Sequence, residues 1–76
     1  MYQPESVPDK PIRKGDTGDA VRWMQTKLAE RGYLRKSEID GDFGRITLGA
    51  VLAFQLENGL EVDGVCGAMT RAALQA

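Results

Sequence analysis

The 76-residue chain has no histidine, a single cysteine and no long apolar run. One cysteine cannot form an internal disulfide, so the stability of a fold has to come from side-chain packing. Zinc-dependent hydrolysis normally uses histidine ligands, and Cys66 has no histidine base to activate its thiol. No stretch approaches the length of a membrane span. The sequence therefore predicts no catalytic constellation, no metal, no cofactor and no membrane insertion.

Neither sign of charge is in excess, because ten Lys and Arg residues face eleven Asp and Glu residues, for a net charge of −1. A nucleic-acid-binding domain normally carries a basic patch and a high isoelectric point, so the balance argues against a nucleic-acid partner. All three prolines lie within residues 1–11. We interpret residues 1–11 as a flexible N-terminal arm or linker and residues 12–76 as one small domain.

What the chain does contain is an internal repeat. Glu-Ile-Asp-Gly-Asp-Phe-Gly at residues 38–44 recurs as Glu-Val-Asp-Gly-Val-Cys-Gly at residues 61–67. Asp-Gly favours a turn with a positive φ, and the second glycine permits another bend before a helix. A second pattern, Thr-x-x-Ala-Val/Leu, begins at Thr17, Thr47 and Thr70. We expect these threonines to be the N-caps of three helices.

Apolar residues at helical spacing set the expected bounds of those helices. The first runs from Thr17 to about Arg31 and ends at Gly32. The second runs from Thr47 to about Glu57 and ends at Asn58-Gly59, and the third begins at Thr70. The predicted fold class is all-α: a compact three-helix bundle with two similar Asp-Gly-x-x-Gly loops.

Two positions within the repeated loops have expected structural roles. Cys66 occupies the place that Phe43 has in the first copy, so a small apolar loop anchor is its expected role. Asp40 and Asp63 are expected to accept hydrogen bonds from the backbone of their own turns.

Taken together, these residues resemble the peptidoglycan-binding domain of bacterial cell-wall hydrolases. The shared stretches extend from Ile12 to Leu74 and include residues 13–21, 24–25, 32–34, 54–55 and both Asp-Gly loops. The resemblance implies a non-catalytic module that targets an attached or partner hydrolase to peptidoglycan, in a bacterial or phage protein. It also implies a location in the cell envelope, cell wall or periplasm. The family often has proline after the second loop glycine, where this chain has Arg45 and Ala68.

Six residues are candidates for contact with peptidoglycan, through either its glycan or its stem peptide. Trp23 falls outside the apolar face of the first predicted helix, so it is either a platform for a sugar ring or a residue packed against the N-terminal arm. Asp42 has no charged equivalent in the second copy, and the cations near the helix starts gain nothing from the helix dipole there. The six candidates are Trp23, Asp42, Phe43, Arg45, Gln55 and Arg71.

Structural roles compete for two of these six residues. Phe43 is either a loop anchor or part of a groove wall. Gln55 has an equivalent in Gln25, and a glutamine at an inner boundary either ties a loop backbone or donates to a peptide carbonyl of the ligand.

A row of leucines gives an alternative function. Leu48, Leu52 and Leu56 recur at four-residue spacing on a side of the second helix away from its expected inner face. Exposed leucines on so small a domain need an explanation. Either the arm or the rest of the core covers them, or they dock a neighbouring domain or partner, and the chain is then a protein–protein interaction module.

Overall fold

The computed structural model describes residues 7–76. Their helices are α1 (Asp19–Glu30), α2 (Arg45–Glu57) and α3 (Ala68–Gln75), with a short 3-10 helix (Lys36–Glu38) between α1 and α2. Extended pairing within residues 7–76 is limited to two isolated antiparallel bridges. The all-α, three-helix prediction is confirmed. None of the helices in this described part of the chain is long and apolar enough to cross a bilayer.

Each helix begins directly after a glycine and not at a threonine. The N-cap residues are Gly18, Gly44 and Gly67, and none of these three helices has a side-chain cap. The predicted threonine N-caps were therefore wrong. Thr17 precedes the first helix, whereas Thr47 and Thr70 are buried in the first turns of α2 and α3. The reason is that the hydroxyls of Thr47 and Thr70 meet glutamine side chains, which are described below, instead of helix N–H groups.

The ends of α1 and α2 follow the prediction. Gly32 (φ 87°) and Gly59 (φ 67°) lie just beyond the C-cap residues in the left-handed conformation. In both cases the N–H of the next residue donates to the carbonyl five residues back, with an N···O distance of 2.9 Å. These bonds are typical of a Schellman motif, which satisfies carbonyls at the helix end.

One apolar core lies between the helices, and α1 packs against both α2 and α3. Its buried members are Ile12, Val21, Trp23, Met24, Leu28, Leu34, Phe43, Ala50, Val51, Phe54, Cys66 and Leu74. Val7, in the segment predicted to be an arm, also packs against this core. The predictions for residues 1–6 lie outside the described residues.

Cys66 is a buried loop anchor, as predicted from its place in the repeat. Its side chain is inaccessible to solvent, and Phe43 occupies the corresponding buried place in the first copy. Burial raises the pKa of the Cys66 thiol to about 12. The thiol therefore stays protonated at neutral pH and acts as a small apolar group.

The stretch that precedes α1 joins the two loops. Ile12 and Cys66 exchange both backbone hydrogen bonds, with N···O distances of 3.1 and 2.8 Å. Further along, the N–H of Phe43 donates to the carbonyl of Asp16 at 3.0 Å. The first loop and the second loop are thus both tied to one short segment of chain.

Candidate functional site

Gln25, a buried glutamine in α1, holds the first loop, residues 40–44. Its Nε2 group donates to the Asp40 carboxylate (3.0 Å), the Asp42 carbonyl (3.1 Å) and the Thr47 hydroxyl (2.9 Å). Its Oε1 atom accepts the N–H groups of Asp40 (3.0 Å) and Gly41 (2.8 Å). We call these contacts of Gln25 the Gln25 network.

A second glutamine, in α2, holds the second loop, residues 63–67, in the same way. Nε2 of Gln55 donates to the Asp63 carboxylate (3.1 Å), the Val65 carbonyl (3.0 Å) and the Thr70 hydroxyl (3.1 Å). Its Oε1 atom accepts the N–H groups of Asp63 (3.2 Å) and Gly64 (3.0 Å). This Gln55 network repeats the first atom for atom, and both glutamines are at most 1% exposed.

The two loop aspartates serve their own turns, as predicted. Oδ1 of Asp40 accepts the N–H of Asp42 at 3.0 Å, and Oδ1 of Asp63 accepts the N–H of Val65 at 2.9 Å. The hydrogen bond from Gln25, followed by the Asp42 N–H, lowers the pKa of Asp40. The Val65 N–H, followed by the Gln55 amide, lowers the pKa of Asp63. Hydrogen bonds to the charged form favour ionisation, so both side chains are carboxylates at neutral pH.

Three of the six predicted site residues lie in the interior. Trp23 is 3% exposed, and Phe43 and Gln55 are each 1% exposed. The expectation that Trp23 presents an open aromatic platform is wrong, because α1 packs against two helices and the indole belongs to the core. Phe43 is a loop anchor. Both polar atoms of Gln55 are engaged in the Gln55 network, so this side chain has the loop-tying role that was one of its two predicted alternatives.

The other three predicted residues lie nearer the surface. The side chains of Asp42 and Arg45 are exposed at the start of α2. Arg71 is half-buried, and its Nη1 group donates to the Cys66 carbonyl at 3.1 Å. A role in ligand binding for Asp42, Arg45 and Arg71 stays a prediction.

A groove of about 340 Å³ lies beside the second loop, between the end of α2 and the first turn of α3. Its lining residues are Gln55, Gly59, Leu60, Glu61, Asp63, Val65, Gly67, Ala68, Met69 and Thr70. Apolar groups dominate the surface, and Met69 is 74% exposed. Glu61 and Asp63 add two carboxylates, while no Lys or Arg is among these lining residues.

Sequence reasoning missed most of this groove. Of the six predicted residues, only Gln55 lines it, and it does so as part of the wall. The sequence feature that could have indicated the groove is Met69, a large apolar residue at the second position of α3. Within residues 7–76 no cluster of three or more His, Cys, Asp or Glu side chains has the arrangement of a metal site.

The leucine row is largely covered. Leu48 packs against the core, and its Cδ1 atom lies 2.7 Å from the position that a Cβ atom would take at Gly64. The Cδ2 atom of Leu52 lies 3.5 Å from the same Cβ position at Gly64. Leu56, which is 70% exposed, is the member of the row that faces solvent. The second loop therefore covers the first two leucines, and the interaction-module alternative loses most of its structural basis.

Residues 17–74 match the model of the peptidoglycan binding domain family. The spore cortex-lytic enzyme of Halalkalibacterium halodurans is 43% identical over 67 residues, which cover 88% of this chain and 20% of that protein. The zinc D-Ala-D-Ala carboxypeptidase of Streptomyces albus G is 40% identical over 60 residues, which cover 78% of this chain and 24% of the relative. The chain thus spans between a fifth and a quarter of the length of these relatives.

Solved structures share the fold. The crystal structure of the SleB N-terminal domain matches with a TM-score of 0.87 and 34% identity, over 92% of this chain and 94% of that chain. The Burkholderia AP3 phage endolysin matches with a TM-score of 0.81 and 40% identity, over 88% of this chain and 25% of that chain. The matched family is one of binding modules, and the matched region is a small part of each hydrolase. Sequence, fold and matched residues together show that the chain belongs to the peptidoglycan binding domain family.

Proposed function

We propose that this domain binds peptidoglycan in the groove beside the second loop and performs no chemistry on it. The observation that carries the proposal is the groove itself, a concavity of about 340 Å³ on the fold of a wall-binding family. Small ligand sites combine apolar lining with a few placed polar groups. Here Leu60, Val65 and Met69 supply the apolar surface, and Glu61 and Asp63 supply the polar groups.

The wall of this groove is preformed. The Gln55 network makes five hydrogen bonds within the protein, and three of them are to the backbone of the second loop. A ligand that enters a preformed groove does not have to order it, so little binding energy is lost to conformational entropy. The groove is nevertheless small, and we expect the affinity of a single site to be weak.

Weak binding is sufficient for a targeting module. A tether raises the effective concentration of an attached partner to roughly millimolar, and a repetitive polymer offers many sites. Two of the matched relatives are spore cortex-lytic enzymes, and the matched region is about a fifth of each. The domain would therefore hold an attached or partner hydrolase on peptidoglycan, in the cell wall or periplasm, while the other domain cuts.

Co-sedimentation with purified sacculi tests the proposal, using one variant in each copy of the repeat. Met69 and Ile46 are both the second residue of a helix, and they are 74% and 63% exposed. Glutamine is a good helix former and adds no charge, so both Met69→Gln and Ile46→Gln retain the fold. Met69→Gln removes apolar contact from the groove and should weaken binding by roughly fivefold or more, about 1 kcal/mol.

Ile46→Gln is the matched control and should bind sacculi as the unsubstituted chain does. Equal losses in both variants, or none in either, would move the binding site away from the groove. If the unsubstituted chain were retained no better than an unrelated three-helix domain, peptidoglycan binding itself would be disproved.

A further inference from the structure

A glutamate lies two residues before each loop, Glu38 in the first copy and Glu61 in the second, and the two carboxylates have different surroundings. Oε1 of Glu38 accepts the N–H of Arg35 at 2.8 Å, within the capping box of the 3-10 helix. Glu61 is exposed and lines the groove, and it has no hydrogen-bond or ion-pair partner among residues 7–76. Glu38 therefore stabilises the 3-10 helix, whereas the carboxylate of Glu61 is free to bind a ligand in the groove.

Asp63 adds a second negative charge to the same groove. Its Oδ1 atom is held by Gln55 and Val65, which fix the orientation of the carboxylate. Arg71 directly follows the lining residue Thr70, but its guanidinium donates to the Cys66 carbonyl, and Arg71 is not among the lining residues. The groove is therefore anionic over an apolar floor, and this combination is complementary to a flexible aliphatic chain that ends in an ammonium group.

We propose that the groove selects the stem peptide of peptidoglycan through a free side-chain amine, which pairs with the carboxylates of Glu61 and Asp63. The methylene groups of the same side chain then lie on Leu60 and Met69. This inference rests on the proposed function and narrows it. A stem peptide carries a diamino acid whose second amine is charged where no cross-link has formed. A cross-linked amine is a neutral amide, and N-acetylated glycan has no ammonium group, so both lack the charge that the groove recognises.

Acetylation of the sacculi separates these ligands. Acetic anhydride converts free amines to neutral amides and leaves the glycan and the carboxylates in place. At about 0.15 M salt, where surface charges are screened beyond about 8 Å, the full chain should bind acetylated sacculi roughly fivefold more weakly than untreated sacculi. Glu61→Gln should lower binding to untreated sacculi by about threefold, so the preference between the two preparations should fall from about fivefold to below about twofold, the remainder coming from Asp63.

Glu38→Gln is the matched control, since it removes the equivalent charge from the other copy, and it should keep the full preference. Equal binding of untreated and acetylated sacculi by the unsubstituted chain would overturn the amine selection and leave peptidoglycan binding intact. A preference that stays at about fivefold in Glu61→Gln would also overturn it. Absence of binding to both preparations would instead overturn the proposed function on which the inference rests.

Discussion

In the first loop Gly41 lies beside the guanidinium of Arg22, whereas in the second loop Gly64 lies beneath Leu48 and Leu52. The hydrogen bonds that hold the two loops are nevertheless the same, because each glutamine makes the same five contacts. The comparison shows that the loop geometry is set by groups within each network. The surroundings of a loop can therefore differ without altering its backbone.

The two copies also differ in length. The glutamine and the aspartate of a network are 15 residues apart in the first copy and 8 apart in the second. The longer connection includes the 3-10 helix Lys36–Glu38, which packs against α1. The shorter connection has no such turn, and the groove lies at that place in the second copy. One copy of the repeat thus has an additional 3-10 helix where the other has the groove.

The largest effect should come from removal of either glutamine amide. Gln25→Leu and Gln55→Leu each leave buried backbone N–H groups and a threonine hydroxyl without partners. An unsatisfied buried polar group costs about 1–3 kcal/mol, so we expect each variant to lose about 4 kcal/mol of unfolding free energy. That loss is comparable to the whole stability of a small domain. Urea denaturation followed by far-UV circular dichroism measures it.

Gln75→Leu is the control for this pair, because Gln75 is exposed in α3, and it should stay within about 0.5 kcal/mol of the unsubstituted chain. The equivalence of the two networks predicts equal losses. A loss below about 1 kcal/mol in one variant alone would show that its network is not needed for the fold.

A smaller effect on stability should come from alanine at Gly41 in the first loop and at Gly64 in the second, because the two glycines have different neighbours. Gly41 and Gly64 have φ values of 78° and 76°, so alanine costs about 1 kcal/mol at either position from backbone strain alone. At Gly64 the new Cβ atom would lie 2.7 Å from Leu48, against 3.2 Å from the flexible end of Arg22 at Gly41. We therefore expect Gly64→Ala to cost about 2 kcal/mol and Gly41→Ala about 1 kcal/mol.

A double variant tests the cause of that difference. Leu48→Ala removes the side chain that would meet the new Cβ atom. In a chain that already carries Leu48→Ala, the unfolding free energy lost through Gly64→Ala should therefore fall to about 1 kcal/mol, the loss expected for Gly41→Ala. Thermal unfolding of the four chains of the cycle gives the coupling energy. Additive costs would show that Leu48 does not restrict the second loop.

The fold could be predicted from the sequence because the residues that determine its turns and helix ends act locally. The repeated Asp-Gly turns and the glycines at 32 and 59 each act within a few residues, and the predicted helix ends were confirmed at both glycines. The helix starts were wrong because a threonine that caps a helix and a threonine that accepts a side-chain hydrogen bond have the same local sequence. The partner of Thr47 is Gln25, which is 22 residues away in the sequence, and only the tertiary structure brings the two side chains together.

The site was less predictable for the same reason. Helical spacing identifies one buried face, but α1 packs against two helices, so Trp23 lies in the core although it falls off the predicted face. The sequence shows that the connection is shorter in the second copy, but only the structure shows that a groove lies there. Glu61 and its equivalent Glu38 are alike in sequence, and only the structure distinguishes their hydrogen bonds and exposure.

The smallest effect, and the finest test of the comparison, is the pH dependence of the two loop carboxylates. The folded-state pKa values of Asp40 and Asp63 are lowered below the ordinary value near 3.8. In acid the unfolded chain therefore binds more protons than the native one, so the stabilisation is complete above about pH 5 and is lost as the pH falls through the folded pKa. Asp40→Asn and Asp63→Asn should each reduce the decline of the urea midpoint between about pH 5 and 2.

Besides the hydrogen bonds from Gln25 and from the Asp42 N–H, the positive charge of Arg22 helps to lower the pKa of Asp40, whereas hydrogen bonds alone lower that of Asp63. Because salt screens charges more than hydrogen bonds, about 1 M NaCl should shrink the effect of Asp40→Asn and leave that of Asp63→Asn in place. Equal salt dependence at both positions would mean that the guanidinium has no influence on the first loop.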